Sequence, residues 1–141
     1  MIVLPDHSHL HSESELQAWL QQHLPGLRGI YAFGSRCRGD DRPESDLDLA
    51  VVGPGSFDPV ALWWTAQDLA ITVGCDVDLV DFLAAPTQLQ HQILTTGRRL
   101  WCGDLQVELY ELFVFSEKLR LDEKLAPLIA DIEQRGRVYD R

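Results

Sequence analysis

Aspartate recurs at alternate positions twice in this chain, as Asp46-Leu47-Asp48 and as Asp76-Val77-Asp78. Each pair lies in a run of strand-forming residues, and alternate residues of a strand project from one face roughly 7 Å apart. Leu47 and Leu49 then point to the opposite face, into a core, as do Val77, Leu79 and Cys75 around the second pair. Two carboxylates so placed can share a hard cation such as Mg²⁺, which prefers oxygen ligands and keeps several waters. A third carboxylate from a neighbouring strand would complete a two-metal site for in-line displacement at phosphorus. Ahead of the first pair, the apolar run Ile30-Tyr31-Ala32-Phe33 enters Gly34-Ser35. A strand running into Gly-Ser lets backbone amides approach a phosphate, and the serine hydroxyl donates one more hydrogen bond. Arg36, Arg38 and Arg42 fall within seven positions and can hold one small phosphate group. Taken singly, these features read as a solvated strand face, a turn, and a basic loop paired with Asp40, Asp41 and Glu44.

The elements that must position these residues alternate between helix and strand. Residues 1–11 read as a polar tail, although alternation of His7, His9 and His11 along a strand would gather three imidazoles as metal ligands. Ser12 with Glu15 has capping-box spacing, and Leu16, Trp19, Leu20, His23 and Leu24 follow at helical intervals until Pro25-Gly26. Residues 27–33 form a strand, residues 34–45 a polar, arginine-rich loop, and residues 47–52 a second strand. Asp58-Pro59 starts a helix whose apolar face is Leu62, Ala66, Leu69, Ala70 and Val73, closed by Gly74. Residues 75–82 form a third strand, 86–96 a helix ending at Gly97, and 99–102 a short edge strand. From Asp104 to about Arg135 the pattern is helical, with two helices expected to break near Leu121-Asp122. Trp63-Trp64 should place one ring on the core side and its neighbour at the boundary, and His91 and Tyr110 read as structural. The fold class is α/β (α+β): a small mixed β-sheet flanked by helices.

Composition bounds the partners. The 141 residues suit one domain with a single core. Hydrophobic residues at 45% exclude a disordered chain, and no apolar run nears the roughly 20 residues of a membrane helix. The N-terminus carries no basic segment followed by an apolar stretch, so no secretory signal is expected. Cys37, Cys75 and Cys102 are odd in number and far apart, which argues against a disulfide framework or zinc site and for a reducing cytoplasm. Twelve Lys and Arg against 22 Asp and Glu give a formal net charge of −10, which repels a nucleic-acid polyanion.

Gly34-Ser35, ten residues, then Asp46-Leu47-Asp48 is the spacing Gly-Ser-x10-Asp-x-Asp. That signature, with a later aspartate, resembles the nucleotidyltransferases of the DNA polymerase β superfamily. Gly34-Ser35-Arg36-Cys37-Arg38-Gly39 and Ser45-Asp46-Leu47-Asp48-Leu49 look more closely like its minimal nucleotidyltransferase (MNT) branch. The branch pattern is Gly-Ser-x-Ala-Arg-Gly with Ser-Asp-x-Asp-Leu. Cys37 departs from it where alanine is usual, a small change that puts a thiol near the site. The family's third carboxylate sits in a Val-Asp-hydrophobic segment, matched by Val77-Asp78-Leu79, so Asp78 is chosen over Asp76 and Asp81. The resemblance spans roughly residues 12–102, the nucleotidyltransferase core. Residues 103–141, a helical extension of the same domain ending Arg135-Gly136-Arg137-Val138-Tyr139, are similar to the C-terminal extension of MNT antitoxins, which are encoded beside HEPN-domain ribonuclease toxins.

The resemblance implies a mechanism. ATP would lie with its β- and γ-phosphates on Gly34-Ser35, and Asp46, Asp48 and Asp78 would hold two Mg²⁺ ions. Arg38 would neutralise charge on the phosphates, and Asp78 would accept the acceptor's proton. It further implies a HEPN toxin as partner, in a hetero-oligomer, with AMP passed to a toxin tyrosine and the ribonuclease neutralised. The acidic surface suits a basic, RNA-binding partner. No direct nucleic-acid or membrane contact is expected. Two other functions stay open at this point: an antitoxin acting by occlusion alone, and a small-molecule nucleotidyltransferase of the aminoglycoside type. In the tail helix, Leu105, Leu109, Leu112 and Phe113 are the positions able to pack on a partner.

Overall fold

Ser12 begins the first helix as the spacing predicts. Its hydroxyl accepts the amide of Glu15 at 3.1 Å, while the Glu15 carboxylate accepts the amide of His11 at 2.6 Å, so two otherwise orphaned donors are satisfied. The computed structural model describes residues 2–39, 42 and 45–139, with the backbone alone described for 135–139. Helix α1 (Glu13–His23) buries Leu16 and Leu20 on one stripe. Strand β1 (Gly29–Phe33) runs directly into a five-residue helix, α2 (Gly34–Arg38). Strand β2 (Leu47–Val52) follows, then α3 (Pro59–Val73), β3 (Val77–Asp81), a single 3₁₀ turn at Phe82–Ala84, α4 (Thr87–Thr96), β4 (Arg98–Cys102) and α5 (Leu105–Tyr139).

The four strands form one mixed sheet in the order β3-β2-β1-β4. β1 pairs antiparallel with β2 and β4, whereas β2 and β3 run parallel, joined by the crossover helix α3. Strand alternation divides the core in two. Leu47, Leu49 and Val51 face Leu16, Leu20, Leu62, Leu69 and Val73. Ala50 and Val52 face Phe82, Ile93, Val107 and Val114. Because both faces of β2 are covered, its run from Leu47 is nearly all apolar, broken by Asp48. Asp58 caps α3 through the Ala61 amide, and Leu62, Ala66, Leu69 and Val73 are its buried stripe, as the sequence periodicity requires.

Four expectations need correction. The arginine-rich loop is helical over Gly34–Arg38; of its other members, Gly39, Arg42 and Ser45 are described, and Asp40, Asp41, Pro43 and Glu44 lie outside the described residues. The C-terminal region is one helix of 35 residues, without a break at Leu121-Asp122. No glycine or proline stands at that point, and the Lys118–Asp122 pair, one turn apart at 2.8 Å, spans it. The N-terminal segment is packed: Ile2 and Ser8 are buried, His7 Nε2 hydrogen-bonds the Gly74 carbonyl at 2.9 Å, and the His9 amide reaches Thr72 O. His7 thereby docks the segment through its ring and His9 through its backbone amide. Finally, Trp63 and Trp64 are 55% and 59% exposed, so neither faces the core. Both fall off the Leu62-Ala66-Leu69-Val73 stripe by helical rotation.

Tyr31 fixes α5 against the sheet by donating to Glu111 Oε1 at 2.5 Å. Burial, then the adjacent carboxylate, push its hydroxyl far above its ordinary pKa, so it remains the donor. Around that anchor on α5, Leu105, Leu109, Leu112 and Phe113 are exposed, which leaves the apolar positions expected to meet a partner open. His91 stacks edge-on against Phe115 and Tyr110 packs on the second core cluster, both as structural residues. No described helix is long and apolar enough to cross a membrane.

Candidate active site

The end of β1 and the starts of β2 and β3 meet at one end of the sheet. Phe33 pairs with Asp48, and Asp48 pairs with Asp78 in the parallel ladder. The Leu47 amide donates to the Asp76 carbonyl at 2.8 Å, where that ladder begins. Asp48 and Asp78 therefore share a sheet face, with Asp46 and Asp76 each just ahead of its strand, whereas Asp81, three residues beyond Asp78, falls on the other face. Asp81 serves the fold instead. Its Oδ2 accepts the Phe57 amide at 2.8 Å and holds the loop before α3. Its buried Oδ1 has no hydrogen-bond partner among the described residues.

Gly34 makes the turn tight. Its φ is +76°, and a Cβ placed there would lie 2.0 Å from Asp48 Oδ2. The chain thus passes over the carboxylate at a distance that excludes any side chain. Immediately beyond, the first-turn amides of α2, starting at Gly34 and Ser35, receive no side-chain cap. Such amides are the part of a helix that accepts an anion.

Electrostatics bind the same residues together. Asp48 is pushed up to about 6, first by burial, then by the negative charges of Asp78 and Asp46, while Arg38 pulls the other way. The carboxylates are thus crowded enough to want a cation, and their oxygens are the donors that Mg²⁺ prefers. Mg²⁺ sites seldom use a complete protein cage, taking one or two carboxylates with waters and substrate phosphates instead. Their donor chemistry suits the ion, while no three His, Cys, Asp or Glu side chains among the described residues are already grouped to hold one.

The arginines divide. Arg38 is exposed and acts on Asp48. Arg36 is 2% exposed, and its guanidinium donates to Ser45 O at 2.9 Å and Val3 O at 2.8 Å. It clamps the N-terminal segment to the approach of β2 and is not part of a solvent-facing phosphate patch. Arg36→Lys should lose this fork and destabilise the fold by about 1–3 kcal/mol, read as a lowered melting temperature. Cys37 is half-buried and packs on the first core cluster, so its small size serves packing.

Sequence reasoning missed a groove beside the carboxylates. A cavity of about 420 Å³ lies along β3 and α3, lined by Asp46, Asp76, Asp78 and Asp81 and by Leu62, Trp63, Ala66 and Gln67. The available signal was Trp63 itself, a large apolar residue off the stripe of its helix.

The chain is similar to known proteins over most of its length. The family model for polymerase beta nucleotidyltransferases matches residues 14–106. Protein adenylyltransferase MntA of Shewanella oneidensis is 35% identical over 121 residues, spanning 86% of this chain and 87% of that protein. A crystal structure of a toxin–antitoxin with AMP-PNP contains a chain of TM-score 0.79 and 34% identity, covering 87% of this chain and 99% of its own. A chain from the complex of tri-AMPylated Shewanella oneidensis HEPN toxin with MNT antitoxin has TM-score 0.72 and 33% identity, covering 86% and 95%.

Proposed function

Since this chain belongs to the polymerase β nucleotidyltransferase family, we propose that it transfers AMP from ATP to a tyrosine of a partner HEPN ribonuclease toxin and thereby neutralises it. The observation that carries the reading is the alignment of Asp48 with Asp78 beside the Gly34 turn, in a chain that is similar over most of its length to a protein adenylyltransferase.

Each residue then has a role. The α2 amides and the Ser35 hydroxyl receive the β- and γ-phosphates, and Arg38 offsets their charge. Asp46, Asp48 and Asp78 are the residues that would hold Mg²⁺, which when bound neutralises phosphate charge and makes the acceptor hydroxyl more acidic. The acceptor oxygen forms a bond to the α-phosphorus as the bond to the bridging oxygen breaks, pyrophosphate leaves, and the hydroxyl proton passes to a carboxylate oxygen of Asp78. The net charge of −10 draws in a basic, RNA-binding partner and orients the encounter. Three free cysteines accord with a cytoplasmic location.

ATP labelled at the α-phosphate, Mg²⁺ and the purified toxin provide the test. We expect label on the toxin, a mass gain of one or more AMP units, loss of ribonuclease activity, and none of these with the Asp46→Asn/Asp48→Asn double variant. Full neutralisation by that double variant would sink the catalytic reading in favour of occlusion. Metal-dependent pyrophosphate release with a small-molecule acceptor alone would favour the aminoglycoside-type activity.

A further inference from the structure

In-line transfer requires the acceptor to approach the α-phosphorus from the side opposite the departing pyrophosphate. With the phosphates on the Gly34–Ser35 turn at the end of β1, the sheet order puts Asp48 next and Asp78 beyond it, on the outermost strand β3. Past Asp78, at the outer edge of β3, opens the groove of about 420 Å³, which runs along the Asp81 side of that strand to α3. We propose that this groove seats the acceptor segment of the toxin, and that Trp63 is the positioning residue against which the acceptor tyrosine packs. The inference rests on the transfer proposed above.

Three features favour that occupant. Trp63 is 55% exposed, an arrangement that leaves a large apolar ring available for contact. Trp64 meets it edge-on, with ring centroids 4.9 Å apart at 80°, which restricts the rotamers of Trp63 before anything binds. Every charged residue lining the groove is an aspartate, so it favours a segment carrying Lys or Arg around its tyrosine. The groove is also continuous with the site, since Asp46 and Asp78 line it. The aromatic wall selects the residue type, and the acidic floor selects its neighbours.

The test measures initial rates of AMP incorporation into the intact toxin, varying toxin and ATP separately, alongside equilibrium binding of a non-hydrolysable ATP analogue. Trp63→Ala should raise KM for the toxin about tenfold, the size of one lost aromatic contact, with kcat and analogue affinity near wild type. Trp63→Phe should recover most of that loss. Ile71→Ala, 79% exposed on the same helix but outside the groove, should behave as wild type. An unchanged KM for the toxin in Trp63→Ala would overturn the proposal. So would weakened analogue binding with KM for the toxin unchanged, because that would put the adenine on Trp63. Absence of transfer by the wild type would instead remove the underlying reading, and is seen without any substitution.

Discussion

Gly34→Ala should lower kcat/KM for AMP transfer by about 100-fold or more, the scale of an ångström-sized misplacement of reacting groups. The added methyl would sit 2.0 Å from Asp48 Oδ2 and 2.9 Å from its Cγ, so the turn or the carboxylate must move. Moving the turn displaces the α2 amides; moving the carboxylate changes the spacing of Asp48 from Asp46 and Asp78. Alanine at a φ of +76° also adds strain of about 1–2 kcal/mol. Gly39 separates the two effects. It closes α2 at a φ of +82°, yet a Cβ there meets nothing within 4 Å. Gly39→Ala should therefore lose a similar 1–2 kcal/mol or so of stability while retaining near-normal transfer. Thermal melts and initial rates on the two variants, taken side by side, decide the matter. Wild-type turnover in Gly34→Ala would mean that the turn and Asp48 do not act as one site.

That contrast also marks which features local sequence carries. The Gly-Ser turn, the alternation that sends Leu47 and Leu49 inward, and the Asp58-capped helix with its Leu62-Ala66-Leu69-Val73 stripe are set by residues near one another in the chain, and all were legible. The fate of Arg36 was not, because its burial depends on Val3, 33 positions away, and on a carbonyl at Ser45. Arg36 and Arg38 are two residues apart in one short helix, yet one is sealed inside and the other faces solvent beside Asp48. The supposed break in α5 failed for a different reason. A polar residue after a leucine does not end a helix when i,i+4 pairs such as Lys118–Asp122 support it. The groove was invisible because it lies between a strand edge and a helix brought together by the fold. Its one sequence trace is a tryptophan pair off the apolar face of α3.

The second large effect concerns the third carboxylate. Three aspartates near β3 compete for the role, and the ladder separates them. Asp78 is level with Asp48 and raises its pKa through its charge; Asp76 precedes the strand and is not among the groups that shift Asp48; Asp81 is on the opposite face, bound to the Phe57 amide. Asp78→Asn should consequently reduce kcat by about 10³-fold, in the range for loss of a positioned proton acceptor or metal-binding carboxylate. Asp76→Asn should stay near wild type. Asp81→Asn should also retain transfer, because the amide oxygen of Asn can still accept the Phe57 N–H. A spectroscopic titration of the metal-free protein supplies a readout independent of rate. Asp48, at about 6 in the wild type, should titrate lower in Asp78→Asn, since one of the two negative neighbours that favour its protonated form has been removed. Its affinity for protons falls, so the ionised fraction of Asp48 at pH 6 rises. In Asp76→Asn the Asp48 titration should not move. If instead Asp76→Asn abolished transfer while Asp78→Asn left it intact, the third carboxylate would stand just before β3, and the pairing of Asp48 with Asp78 would be a feature of the sheet without a part in the reaction.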